Sequence, residues 1–271
     1  MTQTRTALID ADSMVYIISY NNREHKDEDQ VKASVDAFIE SVMTMSGSQY
    51  YIGSFSASPS FRNEVYKYAV YKGSRPEKPE WFVHWEPVIK QYAQEKWNFL
   101  IPAPGLEADD IISALSEIYR SEGVDYIILS PDKDLRQIPG NHYDYGKNEH
   151  VFVTQDEAQM NFWMQMLTGD STDNVAGVPG LGPIKAKKAM AALEEGAFHS
   201  QIVMKEYRKY FGDYYGPIIF QETMDTLRLI CKKHSNWWVY EHYLSGLPKT
   251  YEREFIPGTQ RKTMQEFFGD D

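Results

Sequence analysis

Residues 125–134 read DYIILSPDKD, an apolar run of strand length that stops at a serine and a proline and then delivers Asp132 and Asp134. A short, unbroken apolar run bounded by turn residues fits a strand buried on both faces, as in a parallel sheet. The same plan recurs outward along the chain. TALID over 6–10 ends in Asp10, YYIGSF over 50–55 is mostly apolar, and NFLI over 98–101 leads through PAPGL to Glu107, Asp109 and Asp110. Residues 31–45 and 108–119 between these runs have helical spacing, the second with Ile111, Ile112, Leu115 and Ile118. Strands alternating with helices predict an α/β protein with a mostly parallel central sheet flanked by helices. Gly146-Lys147-Asn148 lies between 143–145 and 151–154 and predicts a hairpin at one sheet edge. From the capping box Thr154-x-x-Glu157 onward the pattern is helical, and no strand is expected beyond about residue 155. The expected division is therefore 1–155 as the α/β core and 156–271 as a helical region.

The chain has 271 residues, 42% hydrophobic and 25% charged, enough to bury a real core. It lacks an apolar N-terminal leader and any apolar run near the ~20 residues needed to span a bilayer, so a soluble, cytoplasmic protein with no membrane partner is expected. The single cysteine, Cys231, excludes an intrachain disulfide and a cysteine-rich zinc module, and is expected to be a small core residue. A formal charge of -11 argues against simple phosphate attraction. The distribution of the acids changes that reading.

In parallel α/β sheets functional groups gather beyond the carboxyl ends of the strands. Asp10, Glu107, Asp109, Asp110, Asp132 and Asp134 all follow apolar runs, and Asp170 and Asp173 come from the helical half. Eight converging carboxylates repel one another unless cations lie between them. Oxygen ligands without neighbouring Cys or His favour Mg²⁺ or Mn²⁺ over Zn²⁺. Each acid also has a plain alternative, a helix cap at 107–110 or a turn at 132–134. Asp12 reads either as a cap of the helix after Asp10 or as an extra acid, and stays outside the metal set. Committing the eight to metals would leave -3 on the rest of the chain, so the acidity can belong to a site.

Two further stretches carry chemistry. Tyr71-Lys72-Gly73-Ser74-Arg75 sets two cations three residues apart around a glycine, able to hold a phosphate and stabilise negative charge on it, or simply a solvated basic turn. Arg62 in SFRNEVY is a weaker candidate for the same work. Residues 169–188, GDSTDNVAGVPGLGPIKAKK, combine Asp170 and Asp173 with a turn at Gly180, Gly182 and Pro183 that opens a helix carrying Lys185, Lys187 and Lys188. Free N–H groups and the positive dipole end of such a helix form an anion site. Residues 73–97, with three prolines, three tryptophans and several lysines, read either as a helical flap projecting from the sheet or as a surface loop followed by a crossover helix.

Taken together, LID at Asp10, FR at Arg62, YKGSR at 71–75, EADD at 107–110, SPDKD at 130–134 and GDSTDNVAGVPGLG at 169–182 resemble the 5′ nuclease superfamily of flap endonucleases and 5′→3′ exonucleases, of the bacteriophage and bacterial polymerase I type. The resemblance implies a nuclease core with a helical arch near 73–97 and a helical DNA-binding region holding a helix-three-turn-helix element at about 166–195. It implies Asp10, Glu107, Asp109 and Asp132 as inner ligands of two or more Mg²⁺ or Mn²⁺ ions, with Asp110, Asp134, Asp170 and Asp173 completing the site. Lys72 and Arg75 match the basic residues at the base of the arch and Tyr71 an aromatic that stacks on a base. A K⁺ ion held by backbone carbonyls of the glycine turn, near Val178 and Leu181, is a further implication.

The implied function is metal-dependent, structure-selective hydrolysis of DNA at a 5′ flap or 5′ end in replication or repair, extending to RNA primers in RNA/DNA hybrids. A noncatalytic nucleic-acid binding protein of the same fold is the alternative. The tail Arg261-Lys262-Thr263-Met264-Gln265-Glu266-Phe267-Phe268 resembles a sliding-clamp peptide, against the plainer reading that Phe267 and Phe268 pack on the domain.

Overall fold

The computed structural model describes residues 4–24, 27–102, 104–191, 198–229 and the strand at 253–254. Cys231 and the tail 261–271 lie outside the described residues. The chain forms two compact units, one from 1–58, 77–153 and 230–271, the other from 59–76 and 154–229.

The first unit is built on a six-stranded sheet of order β5-β4-β3-β1-β2-β8. Its strands are β1 (Arg5–Asp10), β2 (Tyr50–Ser54), β3 (Asp125–Leu129), β4 (Gly140–Asp144), β5 (Glu149–Val153) and β8 (Arg253–Glu254). β1 pairs in parallel with both β2 and β3, and β3 in parallel with β4, while the edges β5 and β8 run antiparallel. The central sheet is thus mostly parallel, as expected, and the hairpin around 146–148 is present. Thr6–Ile9, Tyr51–Ser54 and Tyr126–Leu129 are buried, which is why these runs are continuously apolar rather than alternating. Register brings Asp10 opposite Ser54 and Ile9 opposite Leu129, so the acids after β1 and β3 leave the sheet at the same edge.

Helices α1 (Ala11–Asn21), α2 (Glu28–Ser46), α4 (Glu80–Trp97) and α5 (Ala108–Glu122) belong to this unit. Of the two readings of 73–97, helix α4 follows the crossover one. Trp85, Ile89, Ala93 and Trp97 recur at helical spacing and are all buried in the core shared with α1 and α2. Asp36 on α2 fastens it further, accepting from Trp97 Nε1 at 2.8 Å and Tyr92 Oη at 2.9 Å. Residues 74–79 before it have neither helix nor strand.

Two expectations need correction. Residues 98–101 make no strand: the run meets β2 through a single bridge, Ser54 with Leu100, held by Leu100 N–H to Gly53 O and Phe55 N–H to Leu100 O. The prolines at 102 and 104 stop the pairing there, since each lacks an N–H to continue the ladder. Strands also occur after residue 155, but each is two residues long, β6 (Gly169–Asp170), β7 (Val175–Ala176) and β8, too short for any periodicity to register.

The second unit contains α3 (Arg62–Val65), α6 (Gln155–Thr168), the β6-β7 hairpin, α7 (Pro183–Ala191) and α8 (His199–Leu227), the last interrupted at Gly212, where φ is 82°. Its core joins Tyr66, Phe162, Met166, Val175, Val203 and Tyr207. The capping box at α6 forms as expected, Thr154 Oγ1 accepting from Glu157 N–H at 3.2 Å and Glu157 Oε2 from Thr154 N–H at 2.8 Å. Behind it, Gly169 and Gly177 cross so closely that a Cβ on either would overlap the other's backbone. Only glycine satisfies both positions, and Gly169 also holds φ at 73°.

Candidate functional site

In the first unit the acids are ordered by the helices and turns that come after the strands. Asp10 ends β1 and caps α1, its carboxylate accepting from Asp12 N–H at 3.2 Å and Ser130 Oγ at 2.8 Å. Asp10, not Asp12, is therefore the cap. Asp12 instead accepts from Ser56 N–H, at 3.2 Å to one oxygen, and Ser56 Oγ accepts from Ala108 N–H at 2.9 Å. A two-contact relay thus ties the start of α1 to the start of α5. On the other side Ser130 Oγ also accepts from Asp132 N–H at 3.0 Å, so one hydroxyl serves Asp10 and Asp132 together. Asp132 in turn caps the 3₁₀ turn 133–137 by accepting from Asp134 N–H at 2.8 Å.

Glu107, Asp109 and Asp110 open α5, where backbone N–H groups and the dipole favour negative charge. Asp110 is fully buried and accepts from Glu107 N–H at 3.1 Å. One ligand oxygen from each of the three lies within 4.8 Å of the others, a spacing suited to a shared cation. The capping and metal readings are therefore compatible, because a cap uses one face of a carboxylate and leaves lone pairs for a ligand.

The electrostatics also suit a cation. Burial, and next the negative charge of Asp12, push the Asp10 carboxyl up to about 7 from an ordinary 3.8, with Asp132 adding to the rise and the Ser130 hydrogen bond opposing it. Tyr145, whose hydroxyl donates to Asp10 O at 3.3 Å, is driven to a higher pKa by burial and by Asp10 itself. A divalent ion would offset this accumulated charge. The hard oxygen donor set fits Mg²⁺ or Mn²⁺.

The second unit holds the other acids and the basic turn. Asp170 is buried and accepts from Thr172 N–H at 2.8 Å and Gln165 Nε2 at 3.2 Å. Asp173 accepts from Tyr71 Oη at 2.8 Å, pairs with Arg75 through Oδ1, and has Lys72 Nζ at 3.9 Å. Lys72, Arg75 and Tyr71 are thereby brought together. Tyr71 is buried with Lys72 Nζ 5.0 Å from its ring centre, so the expected role of stacking on a base is not met in this geometry. Arg62 also departs from its expected contact with DNA. It is 2% exposed, and its Nε donates to Thr226 O at 2.8 Å, so it serves packing instead.

The glycine turn is open. Pro183 begins α7, and a Cβ at Gly180 or Gly182 would touch nothing within 4 Å, leaving that backbone open to a large ligand. Lys187 and Lys188 are exposed, and Lys185 Nζ bonds Gly180 O at 3.0 Å across the turn. Val178 O accepts from Leu181 N–H at 3.0 Å within the turn.

Sequence reasoning missed Ser56 and Ser130 and set Asp12 aside. Ser130 had a visible signal, a small polar residue at the end of an apolar run and two places before an acid. Ser56 had none, because its two partners lie 44 and 52 residues away.

A mostly parallel sheet whose carboxyl edge gathers clustered carboxylates defines an α/β protein equipped to hold divalent cations. The chain belongs to the family described as 5′-3′ exonuclease, N-terminal resolvase-like domain, which matches residues 5–164. It is 34% identical over 145 residues to a 5′-3′ exonuclease of Aquifex aeolicus, covering 50% of each chain. It is 31% identical over 142 residues to the thermostable DNA polymerase I of Thermus filiformis, covering 49% of this chain and 17% of the polymerase. The chain therefore spans half or less of the length of these relatives. A structure of T5 5′-exonuclease with bound zinc ions shares the fold at a TM-score of 0.56 and 16% identity, over 83% of this chain and 99% of that one.

Proposed function

We propose that the protein is a structure-selective, divalent-metal-dependent 5′ nuclease, a flap endonuclease and 5′→3′ exonuclease that hydrolyses DNA phosphodiesters in replication or repair. The observation that supports this reading is the Glu107-Asp109-Asp110 cluster, together with Asp10 and Asp132 bridged by Ser130, in a chain whose family is that of 5′-3′ exonucleases. The proposed ligands are Asp10, Glu107, Asp109, Asp110, Asp132 and Asp134, all in the first unit. The hydrogen bonds of Asp170 and Asp173 leave lone pairs open to a cation, and both remain proposed as completing or extending the metal set.

These residues would hold two or more Mg²⁺ or Mn²⁺ ions, which would supply an activated water and charge neutralisation at the leaving 3′ oxygen. Ser130 orients Asp10 and Asp132, and Ser56 fixes Asp12 and the start of α5, so the ligands are set before substrate arrives. Lys72 and Arg75 are proposed to neutralise the phosphoryl oxygens, the arginine as a fork and the lysine as a point charge. No side-chain nucleophile is required. The turn at Gly180 and Gly182 with Lys187 and Lys188 is proposed as a helix-three-turn-helix grip on duplex backbone, giving selectivity by shape without reading bases.

The test is cleavage of an end-labelled 5′-flap duplex with Mg²⁺ or Mn²⁺, with and without chelator. Metal-dependent cutting at the flap base is expected. A gel shift without cutting under either metal would leave only a noncatalytic binding protein. Flaps of RNA and of DNA, run in parallel, test primer removal. The tail 261–271 is proposed to engage a sliding clamp, and its deletion should weaken clamp capture while leaving flap cleavage unchanged.

A further inference from the structure

The residues around the break in α8 hold aromatic rings out in solvent. Segments 59–76 and 199–216, both in the second unit, together carry seven of the chain's 19 tyrosines. Tyr66, Tyr71 and Tyr207 are buried, but Tyr68, Tyr210, Tyr214 and Tyr215 are exposed, Tyr214 most of all at 74%. The backbone explains the display. At Gly212 φ is 82° and ψ 169°, a conformation that essentially only glycine adopts, and there the helix turns back. Gly216 then lies so close to the preceding half that a Cβ on it would come within 2.8 Å of Arg208 Cα. The break is thus a tight corner with Tyr210, Tyr214 and Tyr215 on its outside.

The corner is anchored from beneath. The Phe211 ring meets that of buried Tyr207 at 5.8 Å, and Tyr207 Oη donates to Met166 O at 2.7 Å. Tyr68 meets the same Phe211 ring edge-on at 5.8 Å, which joins the two segments into one surface. Charge sets that surface apart from an ordinary apolar patch. Its two segments carry seven Lys or Arg against three Asp or Glu, in a chain of net charge -11. Lys67, Lys205, Arg208 and Lys209 are all exposed. Arg208 and Lys209 have Asp213 and Glu206 at 3.7 and 3.6 Å, exposed pairs that contribute little and give way readily to a phosphate.

A face made for another protein or a second copy is depleted of lysine at its centre. Here lysines interleave with the tyrosines, and the large exposed aliphatics beside them are only Val70 and Ile218 among the described residues. Rings that stack on bases of any sequence, among cations that follow the backbone, are the means of holding single-stranded nucleic acid. Resting on the DNA-cleaving reading above, we propose that the α8 corner and Tyr68 form a stacking platform for the single-stranded part of the substrate. It uses none of the residues of the glycine turn at 180–183.

The test is fluorescence anisotropy of a labelled oligo(dT), and of a blunt duplex of equal length, with the full chain in EDTA. Tyr214→Ala and Tyr215→Ala are each expected to weaken oligo(dT) binding roughly 5- to 100-fold and to leave duplex affinity unchanged. Tyr214→Phe keeps the ring and should bind as wild type does. Lys209→Ala should lower the slope of log affinity against log salt on oligo(dT) by about 0.7.

Equal losses on both nucleic acids, a Tyr214→Phe variant as weak as Tyr214→Ala, or wild-type oligo(dT) affinity in both alanine variants would each overturn the proposal. A wild-type dimer that the alanine variants dissociate in sedimentation, with oligo(dT) affinity kept, would make the corner an interface between copies instead. Should an alanine variant fail to fold, Tyr68→Ala on the other segment is put through the same comparison. EDTA keeps cleavage out of every measurement. A protein that binds oligo(dT) through these tyrosines but never cuts a flap with Mg²⁺ would therefore refute the nuclease reading and leave the platform standing.

Discussion

Asp10 is where charge, capping and pairing meet on one side chain. Its carboxyl pKa is raised above the unfolded value, so the folded state holds that proton more tightly. The associated stability is full below about pH 4 and is lost as pH rises through about 7. Asp10→Asn keeps the cap, since its Oδ1 still accepts from Asp12 N–H, and removes the buried charge, while its amide nitrogen cannot accept the bond Ser130 Oγ donates to the second oxygen. The metal-free variant should therefore be more stable than wild type by roughly 1–3 kcal/mol at pH 8 and little different at pH 4, measured by urea unfolding in EDTA. Flap cleavage by it should fall below detection. Arg62 is the opposite case, a cation with a structural task. Arg62→Ala strands the Thr226 carbonyl and should cost about 2–4 kcal/mol, while the salt dependence of DNA binding stays that of wild type. FR in the sequence offered no way to separate these roles, because burial at position 62 is created by α8, more than 150 residues onward.

At the scale of elements, strands of five or six residues were legible and those of two residues were not. β1 and β3 announce themselves because burial on both faces makes Ala7–Ile9 and Tyr126–Leu129 unbroken apolar runs. Residues 98–101 have the same composition yet form one bridge, since pairing there is decided by the prolines just beyond the run. α4 shows a related limit. Its buried stripe of Trp85, Ile89, Ala93 and Trp97 is visible at helical spacing, but a flap and a crossover helix share that pattern until a partner face is known. The β6-β7 hairpin was hidden by brevity, and its glycines carry the signal instead. Gly177→Ala should destabilise by about 3 kcal/mol or more, because backbone rather than a movable side chain occupies the space. Gly47→Ala, at a helix end with φ of 66° and open surroundings, should cost only about 1 kcal/mol. Parallel denaturation curves compare the two.

At the scale of the whole molecule, six proposed ligand acids belong to one sheet edge, and neutralising them would take the formal charge from -11 to -5. Ligand linkage gives the check. Mg²⁺ at 100 times its dissociation constant should add about 2.7 kcal/mol to the unfolding free energy, with a matching rise in Tm, and Glu107→Gln should remove most of that gain. None of the described helices is long and apolar enough to cross a membrane. The acids and the basic turn were legible because each comes after a local break in the chain. Their supports were not, because Ser56, Thr226 and Asp173 reach partners 44 to 164 residues distant. That separation has a consequence during synthesis. The second unit takes residues 59–76 from inside the span of the first and joins them to 154–229. On the ribosome the earlier piece must wait for about 80 more residues before its partner begins to emerge, roughly 4–16 s at ordinary elongation rates. Through that interval Tyr66, Tyr71 and Arg62 lack the core they enter in the folded chain, which leaves 59–76 exposed to chaperones and proteases.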